Sequence, residues 1–137
     1  MKSIQLAAAT IAAALIITGP ALAERIRLVN VHGYSVIDDE HLVLNGGASH
    51  HYLVTLRQRC PDLRVGVQVA TSFPATTTLY TPSMDYIYTN GHMGQRCYID
   101  TVEAVADLEA ARALVAERDA AEAAAEAAAA VETGSRK

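Results

Sequence analysis

Tyr52-Leu53-Val54-Thr55-Leu56-Arg57-Gln58-Arg59-Cys60 reads as a β-strand. A two-residue period puts Tyr52, Val54, Leu56 and Cys60 on one face, with Thr55, Arg57 and Arg59 on the other. The apolar face thus carries a cysteine inward. One other cysteine exists, Cys97, in the strand-like run Gln95-Arg96-Cys97-Tyr98-Ile99. There Cys97 and Ile99 share a face opposite Arg96 and Tyr98. The expectation is that a Cys60–Cys97 disulfide staples two neighbouring strands through the core.

The N-terminus supports an oxidised state for that pair. Lys2 forms a short positive region and Ile4 to Ile17 an apolar one. Gly19-Pro20 breaks the run, and Ala21-Leu22-Ala23 is an A-x-A cleavage pattern. Residues 1–23 therefore read as a signal peptide. The apolar run is shorter than the roughly 20 residues a span needs, so no membrane span is expected after cleavage. The expected location is periplasmic or secreted, where two cysteines form a structural disulfide more often than a metal or redox pair.

Residues 24–100 hold seven acidic and six basic residues, and 101–137 hold eight and four. Neither part has the basic excess that nucleic acid demands, so no nucleic-acid partner is expected. The 24–100 stretch reads as a β domain, small enough that a single core is marginal. Arg25–Val31, Tyr34–Ile37, His41–Asn45 and Thr76–Tyr80 carry strand signals, and Arg64–Ala70 alternates with Val65, Val67 and Val69 on one face. Asp38-Asp39-Glu40 reads as a solvated turn. Asn90-Gly91 predicts a two-residue hairpin setting Asp85 against Arg96 and placing Tyr86, Tyr88, Met93 and Cys97 on the core face. Asp100 with Glu103 fits a capping box, so an Ala/Glu-rich helix is expected over 101–132, docked through Val105, Leu108 and Val115. A chain ending near Glu117 would keep those contacts. Beyond Val115 the helix has little to bury and should be solvated and fray, and 133–137 should be a disordered end.

The fold expected is all-β with a C-terminal helix. Six to seven antiparallel strands form a small partly closed barrel or roll, with one disulfide.

Candidate sites are sparse. His41 and His51 could meet across a hairpin as weak metal candidates, but no evident Glu or Cys completes a site. Arg57, Arg59 and Arg96 share the outward face of the stapled strands and form a candidate anion-binding cluster. Their competing role is pairing with Asp62, Asp85 or Asp100. There is no G-x-S-x-G elbow, both cysteines are committed, and no catalytic residue or cofactor is assigned.

Tyr34-Ser35-Val36-Ile37-Asp38-Asp39, Tyr52-Leu53-Val54-Thr55-Leu56, Cys60-Pro61-Asp62-Leu63 and Gly94-Gln95-Arg96-Cys97-Tyr98-Ile99-Asp100 together resemble an uncharacterised family, a domain of unknown function, of small exported bacterial proteins with paired cysteines. The resemblance covers residues 25–103. It implies a small β-rich domain in the cell envelope and transfers no catalytic residue. The leading functional expectation is a non-catalytic periplasmic accessory or binding protein, with no cofactor and with an envelope protein as candidate partner. A metal- or anion-binding envelope sensor is the alternative, and an envelope hydrolase the third reading.

Overall fold

The computed structural model describes residues 24–65, 68–81, 83–90 and 94–134. The expected signal peptide, residues 1–23, Gly66 and Val67 of the expected strand, Gly91, His92 and Met93 of the expected hairpin, and residues 135–137 lie outside them. The chain forms β1 (Glu24–Leu28), β2 (Gly33–Val36), β3 (His41–Asn45), β4 (His51–Leu56), β5 (Val69–Thr71), β6 (Thr77–Thr81), β7 (Tyr86–Thr89), β8 (Arg96–Val105) and α1 (Leu108–Gly134). Six strands make an antiparallel half-barrel in the order β2-β3-β4-β8-β7-β5, and β1 pairs with β6 in a separate ribbon. The expected β body with one helix is therefore present, with its strands divided between two sheets.

The opening stretch keeps its predicted inner face. Tyr52, Val54, Leu56 and Cys60 are buried together with Leu42, Ile99 and the ribbon residues Leu28 and Leu79. Cys60 and Cys97 are bonded, with Cα atoms 6.1 Å apart. The staple lies just beyond the end of the β4–β8 ladder, where Arg57 N–H still donates to the Tyr98 carbonyl.

The opposite face of β3 and β4 is also dry. Val43 and Leu53 are fully buried against Ala111 and Val115 of α1. This explains the unbroken apolar runs Leu42-Val43-Leu44 and Leu53-Val54: each strand has a core neighbour on both sides.

The helix starts at Leu108, not at 101. Asp107 caps it by accepting the Ala110 N–H at 2.7 Å. The change of period at Asp100 is a β-bulge. Leu56 pairs with Ile99 and Thr55 with Thr101, which leaves Asp100 without an opposite residue. The extra residue inverts the alternation, so Cys97 and Ile99 point inward before it and Val102 after it. Val105 thus belongs to β8, yet it packs in the same cluster as Leu108 and Val115.

The β7–β8 hairpin differs from the two-residue expectation. Tyr86 faces Tyr98, Ile87 faces Cys97 and Tyr88 faces Arg96. Thr89 N–H donates to the Gln95 carbonyl, so the bonded pair is separated by five residues and not by two. Positive φ falls on Gly94, at 54°, and not on Asn90, which excludes the type I′ geometry. The face inverts accordingly. Ile87 and Thr89 are fully buried, while Tyr86 and Tyr88 lie on the outer side. This choice keeps two phenol hydroxyls out of an apolar core, and the buried Thr89 hydroxyl reaches Asp62 Oδ2. Asp85 lies opposite Ile99 and accepts from the Ser72 and Ser83 hydroxyls instead of pairing with Arg96.

The alternation expected over 64–70 is likewise interrupted. Pro61–Val65 form a 3₁₀ turn, and among the described residues of this stretch the strand spans Val69–Thr71. Proline sets the φ for a turn, and the turn drops Leu63 into the core beside the disulfide.

Candidate functional site

The sheet that curls into the half-barrel leaves its two end strands, β2 and β5, facing one another. Between them lies a cleft of about 470 Å³ lined by Tyr34, Gln68, Val69, Ala70, Tyr88 and Asn90. A second recess, about 310 Å³, shares Tyr34, Val69 and Ala70 and reaches His32, Leu44 and Thr71. Tyr34 and Tyr88 are each 38% exposed, so both rings offer an apolar face with water still at hand. Aromatic rings beside small apolar side chains are the usual lining of a recognition cleft.

The absence of a side chain at Gly94 leaves room for Tyr88. A Cβ at Gly94 would lie 2.6 Å from the Tyr88 hydroxyl oxygen, and its φ of +54° is one that L-residues disfavour. Gly94→Ala is expected to cost about 1 kcal/mol of stability, chiefly through that backbone conformation. It should also displace the Tyr88 ring. Urea unfolding and the Tyr88 ring resonances check both effects. A substitution that left both unchanged would contradict this role for Gly94.

The residues singled out from the sequence are engaged elsewhere. His41 Nδ1 lies 2.9 Å from the Asp38 carboxylate, and His51 Nδ1 lies 3.1 Å from Asn45 Oδ1. In the β3–β4 register His41 faces Thr55 and His51 faces Asn45, so the two histidines do not meet. Among the described residues no group of three or more His, Cys, Asp or Glu could hold a metal ion.

The three arginines of the expected anion cluster have separate partners. Arg57 donates to the Ser83 carbonyl. Arg59 lies 3.5 Å from Asp39 and 3.9 Å from Glu40. Arg96 sits 5.0 Å from the centroid of the Tyr86 ring.

Asp38-Asp39-Glu40 is more than a solvated turn. Asp38 Oδ1 accepts the backbone N–H groups of Glu40 and His41. The Asp39 carbonyl accepts from Cys60 N–H and the Glu40 carbonyl from Leu56 N–H. Asp39 Oδ1 is buried, lies 3.2 Å from Arg64 Nε and accepts no well-formed hydrogen bond. The recess here, about 330 Å³, is also lined by Asp119 of α1. Arg59 and Arg64 face Asp39 and Glu40 there, four carboxylates against two guanidiniums in all, and the turn anchors the segment that carries Cys60.

Sequence reading missed the cleft. Tyr34 registered as a strand residue and Tyr88 as core, because the meeting of β2 and β5 is a property of sheet order. Neither a characterised protein nor a solved structure matches the chain. A family model matches residues 1–123, nine-tenths of the sequence, and by that match the chain belongs to the family of unknown function DUF6491.

Proposed function

We propose that this chain is an exported, non-catalytic binding protein of the cell envelope, periplasmic or secreted, that takes its ligand in the cleft between β2 and β5. The observation that carries this reading is the pair of half-exposed tyrosines flanking an apolar gap between the ends of the sheet. The leader-like residues 1–23 and the buried Cys60–Cys97 bond support export, since such bonds persist in oxidising compartments. Among the described residues no helix is long and apolar enough to cross a membrane. An envelope protein presenting an aromatic or aliphatic side chain is the partner this cleft suits.

Phenol and indole are suitable probes of it. Titrated into the isotope-labelled chain, they are expected to shift Tyr34, Val69, Ala70 and Tyr88 first. Ala70 is exposed, so Ala70→Trp fills the gap without entering the core. That variant should keep its stability and lose the shifts. Shifts spread over the whole surface, or retained in the variant, would defeat the reading.

A further inference from the structure

Eight arginines fall within the described residues. Six have partners. Arg57, Arg59, Arg64 and Arg96 are engaged as described, Arg112 pairs with Glu109, and Arg118 pairs with Glu103. The remaining two, Arg25 and Arg27, have no ion pair, hydrogen bond or ring contact among the described residues, and they stand side by side. Both are exposed on β1, whose intervening Ile26 packs toward the core.

The β1–β6 register sets Arg25 opposite Tyr80 and Arg27 opposite Thr78. These four residues line a shallow recess of about 270 Å³ on the outer face of the ribbon. Alternate residues on one strand face are about 7 Å apart, and opposed pairs about 5 Å. Two guanidinium forks and two hydroxyl groups therefore share one small patch. No carboxylate lines it. In a chain whose formal net charge is −4, the other described arginines are neutralised, capped or stacked, while this pair is left to solvent.

We propose that the outer face of the β1–β6 ribbon is a binding site for a phosphate-bearing ligand, with Arg25 and Arg27 as its ligating cations and Thr78 and Tyr80 as hydroxyl donors. One guanidinium fork matches the two oxygens of a carboxylate side-on, which leaves the second fork and the hydroxyls of this patch without an equally fitting oxygen. Two adjacent forks with flanking hydroxyls match a group that offers three or more acceptor oxygens. A free phosphate and an anionic lipid headgroup share that chemistry. The site is on a different face from the cleft between β2 and β5 and stands independently of it.

The test uses the full mature chain, isotope-labelled, with two probes: inorganic phosphate, and vesicles of phosphatidylglycerol compared with vesicles of phosphatidylcholine. Shifts of Arg25, Arg27, Thr78 and Tyr80 with phosphate indicate a soluble ligand. Binding confined to the phosphatidylglycerol vesicles indicates a headgroup. Either result supports the site. The double variant R25Q/R27Q should weaken that binding about tenfold or more, because it removes two charge-assisted interactions. R112Q removes the same kind of charge from the helix surface and should change it less than about twofold. No shift at the ribbon with either probe overturns the proposal, whatever the variants do. So does a double variant that binds as the parent does, or an equal loss in R112Q.

Discussion

Replacing both Cys60 and Cys97 by alanine is expected to lower the unfolding free energy by about 4 kcal/mol, the chain-entropy value for a bond spanning 37 residues. The bond closes the segment that contains the 3₁₀ turn, β5, β6 and β7. Without it the unfolded chain regains that freedom, while the native sheet loses little contact. Both sulfurs are fully buried, so alanine is the informative replacement: serine would add a buried hydroxyl in need of a partner. A β body of this size has a marginal core, and domains commonly hold only about 5–15 kcal/mol in all. The variant should therefore unfold at a much lower urea concentration. Dithiothreitol added to the native chain should give a similar midpoint. A loss below about 1 kcal/mol would mean that the unfolded chain is already restricted around this loop.

The same two cysteines show what could be read in advance. Tyr52, Val54 and Leu56 alternate with a period of two and lead to Cys60, so one inner face and its bond follow from local pattern. Ile26 and Leu28 in β1, and Leu42 and Leu44 in β3, are legible for the same reason. Asp100 is not. A bulge shifts the alternation by one residue, and along the chain that resembles the onset of a helix. The Asn90-Gly91 signal is also local. It yields to the burial of Ile87 and Thr89 and to the need to keep Tyr86 and Tyr88 near water. The candidate sites depend on still longer distances. The cleft needs β2 and β5 at opposite ends of one sheet, and the free state of Arg25 and Arg27 emerges only once the other arginines have found partners. Patterning by residue type groups Arg57, Arg59 and Arg96 by face, but it carries no information on Ser83, Asp39 or Tyr86 as their neighbours.

Two truncations of α1 are expected to differ sharply. Ending the chain at Ala123, where the family match also ends, should change stability by less than about 0.5 kcal/mol, because every residue from Ala116 to Gly134 is exposed. This cut keeps Ala111, Val115 and Arg118. It is better placed than one at Glu117, which would remove Arg118 and its two hydrogen bonds to Glu103, at 2.6 and 3.1 Å. That carboxylate holds the Arg118 guanidinium above its ordinary value, first through the hydrogen bond and then through its charge. Half exposed as it is, the pair is worth at most about 1 kcal/mol. Ending the chain at Ala106 is a different matter. It uncovers Val43 and Leu53, both fully buried on the outer face of β3 and β4. Exposing two such side chains costs about 1.5–3 kcal/mol each as an upper range. The expected loss is about 4 kcal/mol, with an apolar strip on the sheet that promotes association. Val115→Asp probes the same seam in a full-length chain, and its buried charge should cost about 3 kcal/mol or more. Urea unfolding of the three chains against the parent decides the matter. If the Ala106 chain melts with the parent, the helix is an appendage, and Val43 and Leu53 need another cover. If the Ala123 chain loses more than about 1 kcal/mol, the solvated half of the helix contributes to the native fold and its exposed face has a partner.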